Sequence, residues 1–257
     1  MQIVTQNIEE LELMKNYPKA LYYRGDLELL KQKKISIIGS RKPTKYSREM
    51  THRLAQLLSQ SGVCVVSGGA MGIDAIAHSA TDSLNTIAVM PCGVDVRYPA
   101  VNKNLLKKIE EKGLLLSQFE DGQKARPYTF VVRNEVVVAL GDVLVVGEAE
   151  LESGSMRSIE FALKMKKKIY VFPQRVGESE ATNQLLEKGL ANAIYNIEKF
   201  VEEFSGAKIA EKTDDDFFKY CKRNPTYEEA LNSFPQRVFE AELSGEIVVR
   251  NAKIFLH

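Results

Sequence analysis

The sequence predicts an α/β fold: a doubly wound, mostly parallel sheet carrying a small second unit at its C-terminal end. Three observations predict it. Short, continuously apolar runs alternate with amphipathic helical segments from Lys34 to about Ser205, the pattern of parallel strands covered on both faces. Two of those runs end in glycine-containing turns that lead into a helix, Gly39-Ser40-Arg41 and Gly68-Gly69-Ala70-Met71-Gly72. Around Ser205 to Asp216 the composition shifts to Gly, Lys, Glu, Thr and Asp, and the alternation stops.

In chain order, residues 1–30 form a lead-in with no independent domain. Leu11–Met14 and Leu27–Leu30 read as short helices around Tyr17-Pro18, and Leu21–Gly25 as an edge strand. Residues 31–205 form the main, Rossmann-like domain. It opens with strand Ile35–Ser40 and helix Thr44–Ser61, whose Leu54, Leu57 and Leu58 share one face. Strand Val63–Ser67 and helix Gly72–Ser83 follow, then strand Thr86–Pro91 and helix Asn102–Lys112 with Leu105, Leu106 and Ile109 inward. Leu114–Phe119 is the fourth strand. A polar loop, Glu120–Pro127, leads into Tyr128–Asn134 and a short helix ending near Gly141. Strand Val143–Ala149, helix Ser155–Lys166, strand Lys168–Pro173, helix Asn183–Gly189, strand Ala193–Tyr195 and helix Ile197–Phe204 complete the domain.

Residues 206–213 read as a linker and 214–257 as a winged-helix-like domain. Its helices are Asp215–Lys222, Tyr227–Phe234 and Gln236–Leu243, followed by short strands at Ile247–Val249 and Ile254–Leu256. The third helix is acid-rich, which suits packing or protein contact at least as well as reading DNA.

With a net charge of +1 and 27% charged residues, any nucleic-acid surface must be a local patch. The N-terminal stretch is acidic, without a signal peptide's basic start, and no apolar run approaches the ~18–20 residues of a membrane span. The three cysteines lie far apart without Cys-x-x-Cys spacing, so they are expected to be reduced thiols of a cytoplasmic protein. Cysteines and histidines show no metal pattern, and no metal or cofactor is expected.

Ligands of doubly wound sheets sit at the carboxyl ends of the strands, where a glycine turn and a helix N-terminus favour an anion. Gly39, Ser40 and Arg41, with Lys42 beside them, form one such candidate phosphate niche, and Gly68 with Gly69 a second. Ser153, Gly154 and Ser155, opening a helix, form a third, against the alternative of a plain N-cap. Arginine's planar fork suits a bidentate phosphate contact. Phe130, Arg133 and Asn134, with Lys124 and Arg126 upstream, combine an aromatic face with cations, the recipe for single-stranded nucleic acid. Asp74 and His78, four apart on one helix face, are conceivable as an acid–base pair. No nucleophile is placed with them, so bonding to the neighbouring loop is the preferred reading. Neither Gly-x-G-x-x-Gly nor Gly-x-x-x-x-Gly-Lys-Ser/Thr occurs.

Together these motifs resemble the DNA-processing protein A family (DprA, also called Smf). The resemblance is carried by Gly39-Ser40-Arg41, by Ser67-Gly68-Gly69-Ala70-Met71-Gly72-Ile73-Asp74-Ala75-Ile76-Ala77-His78, and by Thr86-Ile87-Ala88-Val89. Gly93-Val94-Asp95-Val96-Arg97-Tyr98-Pro99 with Asn102, Arg133-Asn134 and Ser153-Gly154-Ser155 follow in the family's order. The likeness runs from about Tyr17 to Tyr195. Three departures stand out. Residues 1–30 are shorter than the helical domain many members carry ahead of the sheet. The family's Arg-Asn-Arg becomes Arg133-Asn134-Glu135, and its Pro-Gly becomes Pro173-Gln174.

The resemblance implies a non-enzymatic single-stranded DNA-binding protein of natural transformation. Such a protein protects incoming strands, loads the RecA recombinase and works as a homodimer through the Rossmann-like domain. It further implies that Gly39, Ser40, Arg41, Gly68 and Gly69 hold backbone phosphates and that Phe130 offers a face to a base. Lys124, Arg126 and Arg133 are assigned to a cationic wall by position and chemistry. The competing reading is a nucleotide phosphoribohydrolase of the lysine-decarboxylase-like type, whose Pro-Gly-Gly-x-Gly-Thr signature is absent here.

Overall fold

The computed structural model describes residues 2–81, 84–208 and 216–257. It comprises two compact units, one within residues 1–209 and the other within 210–257. The strands of the first unit are β1 (Gln2–Ile3), β2 (Tyr22–Gly25), β3 (Lys34–Ile38), β4 (Cys64–Ser67), β5 (Thr86–Met90), β6 (Leu114–Ser117), β7 (Val143–Val146), β8 (Ile169–Val171) and β9 (Asn192–Ala193). They form one sheet in the order β1-β2-β6-β5-β4-β3-β7-β8-β9. From β6 to β9 every pairing is parallel. β2 joins antiparallel to β6, and β1 antiparallel to β2. The lead-in therefore belongs to the main sheet. Its strand, expected at the edge, lies one place in because β1 covers it.

Side-chain alternation along the strands separates two cores. On one face Val66, Val89, Leu116 and Val146 meet α4 (Pro127–Leu140), α5 (Ser155–Lys164) and α6 (Glu180–Glu187). On the other, Ile35, Ile37, Val65 and Val145 pack against α1 (Lys45–Gln60), α2 (Ile73–Ser79) and α7 (Ile197–Ser205). Beside them Met90 and Leu115 receive Leu106 and Ile109 of α3 (Lys103–Lys112). Strand β3 has later strands on both sides, β4 and β7, so the winding reverses there. That reversal opens a crevice beyond the carboxyl ends of β3 and β7.

The clearest local difference from expectation is α4. A loop-like segment followed by a short helix was expected; one 14-residue helix is present. Pro127 sits at its first position, and the Thr129 hydroxyl accepts the Arg126 N–H at 3.0 Å. Val136–Leu140 is buried throughout, and this burial outweighs the poor helix propensity of the valines.

The second unit contains α8 (Asp216–Cys221), α9 (Tyr227–Ser233), α10 (Pro235–Leu243) and a hairpin of β10 (Ile247–Arg250) with β11 (Lys253–Leu256). Phe217, Cys221, Ala230, Val238, Ile247 and Ile254 form its core. Asn251 and Ala252 take positive φ values of 49° and 58° at the hairpin turn. Of the expected linker, residues 209–213 lie outside the described residues, as do the start of the expected helix at Asp215 and the end of the helix expected to reach Ser83. The three cysteines are free and buried, and burial pushes the Cys64 thiol up to about 12.

Each unit has its own apolar core, so a chain ending after Gly206 should fold without the second. Thermal denaturation followed by circular dichroism should give one cooperative transition; a non-cooperative melt would contradict the separation.

Candidate nucleic-acid interface

At the crevice, the end of β3 is joined to the end of β7 and the start of α2. The Ser40 N–H donates to Glu148 O (2.8 Å), and the Ile73 N–H donates to Ser40 O (3.1 Å). Gly72 has φ +76°, and a Cβ there would lie 2.2 Å from Ser40 O and 2.7 Å from Arg41 Cα. Only glycine fits that approach. Glu148 is buried, and its Oε2 lies 2.8 Å from both the Thr44 N and the Thr44 hydroxyl. The Thr44 side chain in turn accepts the Ser47 N–H at the start of α1. Residues 39–44 are thus held at several points, while the Arg41 side chain is exposed.

The second glycine turn is held differently. Gly68 and Ala70 donate their N–H groups to Asp74 Oδ2 (3.1 and 3.3 Å), and Gly69 donates to His78 Nε2 (3.2 Å). His78 Nδ1 lies 2.7 Å from the Thr86 hydroxyl, which donates to Val65 O. That chain of donors places the imidazole proton on Nδ1. Asn102 donates to the carbonyls of Gly69 and Ala70, both at 3.0 Å. Arg133 donates to Gly68 O and, at 2.9 Å, to Val89 O.

Two expectations change on this geometry. The N–H groups of Gly68 and Gly69 are spent inside the protein and do not point at a ligand, because Asp74 and His78 lie one helical turn apart beneath them. Arg133 is 4% exposed; it lines the inner end of the crevice and is at the same time a buried strut of the loop. Asp74 and His78 bond the loop, as preferred from sequence. Burial, with Arg133 as the second cause, pushes His78 down to about 3, so the ring is neutral at ordinary pH. Burial also raises Asp74, against the attraction of Arg133 and the loop N–H donors.

An open cleft of about 600 Å³ brings together the Gly39-Ser40-Arg41 turn, Phe130, Asn134 and the Ser153-Gly154-Ser155 turn. The Arg41 guanidinium lies over the Phe130 ring, 5.5 Å from its centroid. Phe130 meets Tyr98 edge-on at 5.7 Å. Beyond Arg41 lies a smaller recess lined by Met71, Pro91, Tyr98 and Pro99, with Gly68, Phe130 and Arg133 also on its wall. Lys42, Lys124 and Arg126 are exposed but do not line the cleft. Among the lining residues left unassigned from sequence are Tyr98, Glu150, Arg157 and Ser158. Tyr98 was visible only as part of a motif, and Arg157 only as a cation two residues into a helix. Among the described residues no group of metal-ligating side chains gathers. Nor is any described helix long and apolar enough to cross a membrane.

A doubly wound sheet whose crossover crevice carries an exposed arginine on an aromatic ring defines a Rossmann-like protein with an open, arginine-lined crevice. The family described as DNA recombination-mediator protein A matches residues 5–205, and the chain belongs to that family. Protein Smf of Synechocystis is 34% identical over 185 residues, covering 70% of this chain and 45% of the relative. DNA processing protein DprA of Streptococcus pneumoniae is 34% identical over 176 residues, covering 67% and 62%. The chain therefore spans about half to three fifths of the length of these relatives. The structure of DNA processing protein A from Helicobacter pylori, described with a unique single-stranded DNA binding mode, superimposes with a TM-score of 0.77. The two are 40% identical, over 79% of this chain and 94% of that one. DprA of S. pneumoniae superimposes with a TM-score of 0.70 at 32% identity, over 76% and 70%.

Replacing Arg133 by methionine should cost about 3–5 kcal/mol, since it leaves Asp74 buried without its countercharge; chemical denaturation measures this. For His78, the folded chain takes up no proton until pH nears 3, while the unfolded chain takes one near 6.5. The unfolded state then binds more protons between those values. The His78 contribution is intact above pH 6.5 and falls as pH drops through that window, by up to about 1.4 kcal/mol per unit. Asp74, with its raised folded value, opposes this at the acid end. The ring resonances of His78 should stay in the neutral position from pH 8 to 5 by NMR; titration near 6.5 would contradict its buried role.

Proposed function

We propose that this chain binds single-stranded DNA in the crevice at the ends of β3 and β7, with a backbone phosphate on Arg41. The observation that carries this is Arg41 itself: exposed, held at its backbone by Ser40 and Gly72, and laid on Phe130 at the sheet crossover. Gly39 and Ser40 shape the turn around that phosphate. Asn134 adds a polar lining, and Ser153, Gly154 and Ser155 the opposite wall. Phe130 is covered on one face by Arg41, so base stacking falls to its other face, together with exposed Tyr98. Lys42, Lys124 and Arg126 act at longer range, through the potential they add to the approach.

Family membership and the single-stranded DNA binding described for the H. pylori neighbour support this reading. In the same proposal the protein acts in natural transformation, shielding incoming strands and loading the RecA recombinase as a cytoplasmic homodimer. We favour binding over phosphoribohydrolase chemistry because Asp74 and His78 are both consumed in holding the loop. Incubation with nucleoside monophosphates should release no base.

A mobility shift with equal lengths of single- and double-stranded DNA should show preference for the single strand. If about four to six phosphates are neutralised, log K should fall with log salt at a slope of roughly −3 to −4. Arg41→Ala should weaken binding by about 1.5–3 kcal/mol, the range for a hydrogen bond to a charged group. Arg41→Lys should recover only part, for want of the planar fork, and Lys164→Ala should leave affinity unchanged. Equal affinity of wild type and a folded Arg41→Ala protein would remove Arg41 from the site.

A further inference from the structure

The wall of the cleft opposite Arg41 is the N-terminus of the ten-residue helix α5. Its N-cap residue, Gly154, makes no side-chain cap, and a Cβ placed on it would meet nothing within 4 Å. The Met156 N–H donates to Ser153 O at 3.1 Å, whereas the N–H groups of Ser155 and Arg157 have no acceptor among the described residues. Three hydroxyls line the same cleft. Ser155 is 9% exposed and Ser158 is 2% exposed; neither side chain has a hydrogen-bond partner among the described residues. The Ser153 Oγ is buried and equally unpartnered. A buried hydroxyl without a partner, as at Ser153, is costly unless a ligand completes it.

The charges lining the cleft define what that ligand carries. Arg41, Arg133 and Arg157 face Asp74 and Glu150. Arg133 and Asp74 offset each other within the loop. Glu150 accepts the N–H groups of Ser179 and Glu180 (3.1 and 3.3 Å). Once Arg157 exchanges Glu160 for a ligand, one positive charge is in excess, which matches the single charge of a phosphodiester. Arg157 is paired with Glu160 at 2.9 Å, but both are well exposed, and such a surface pair is weak enough to be exchanged for a phosphate.

We infer that the start of α5 is a second phosphate seat, in which Ser153, Ser155, Ser158 and Arg157 hold an internal phosphodiester of a strand already engaged at Arg41. This rests on the proposed single-strand binding and adds to it a second fixed point. The strand then crosses the crevice between β3 and β7, with Phe130 between its two anchors.

The test uses the full chain and a fluorescent oligothymidylate with a 5′-hydroxyl, read by anisotropy. A Ser155→Ala/Ser158→Ala double variant should bind about tenfold more weakly with an unchanged melting temperature, because the lost hydroxyls bond nothing in the protein. Arg157→Ala, at an exposed position, should flatten the salt slope by about 0.7, the value for one phosphate of a single strand. Replacing strand phosphates one at a time by neutral methylphosphonates should expose a position whose effect disappears in the double variant but persists in Arg41→Ala. Wild-type affinity and slope in both α5 variants, with Arg41→Ala still impaired, would overturn the second seat and leave the binding function standing. A wild-type protein that binds no strand would overturn the function and, with it, the seat that rests on it. A gain on adding a 5′-phosphate to the strand, absent in the double variant, would overturn the internal-phosphodiester assignment in favour of a strand end.

Discussion

The crevice depends on one buried cation. The guanidinium of Arg133 reaches from α4 to the carbonyls of Gly68 and Val89 and lies beside Asp74. Taking a charge out of water is expensive, and it is tolerated where acceptors and a countercharge are already in place. Those acceptors are the ends of two neighbouring strands, so the arginine joins α4 to the sheet at the level of the crevice. Phe130, one helical turn earlier, is thereby set under Arg41. The exposed arginine of the crevice owes its position to an arginine that is almost wholly buried.

Much of the architecture was legible because parallel strands buried on both faces leave unbroken apolar runs. Strands β3 to β8 all carry that mark, and their boundaries differ from expectation by a few residues at the glycine or proline ends. What was less legible carries little local pattern. Tyr128–Asn134 carries no helical mark in isolation, and only the start at Pro127 with the Thr129–Arg126 bond makes it the first half of α4. The edge position expected for β2 failed for a similar reason, since a two-residue partner gives almost no sequence pattern.

The site was legible in part. Arg41 and the Ser153-Gly154-Ser155 turn are visible because each stands where a strand or loop meets a helix. Sequence shows the donors of a glycine turn but not the acceptors folded beneath it, and so the N–H groups of Gly68 and Gly69 read as free. The same blindness hid the bonds that make Arg133 a strut of the loop. The two departures from family motif have local explanations. Glu135 accepts the Lys15 N–H and ties the lead-in to α4, and Gln174 donates to Ser47 Oγ and Gly147 O at the end of β7.

The described sheet ends on both sides in a strand of only two residues, β1 and β9. Such short borders expose few unpaired backbone groups and give another chain little to extend. A second copy could extend the described sheet by pairing with only two residues on either side. A continuous intermolecular sheet would be hard to undo. Freedom from edge-to-edge aggregation follows from how little β-structure the described sheet leaves at its margins.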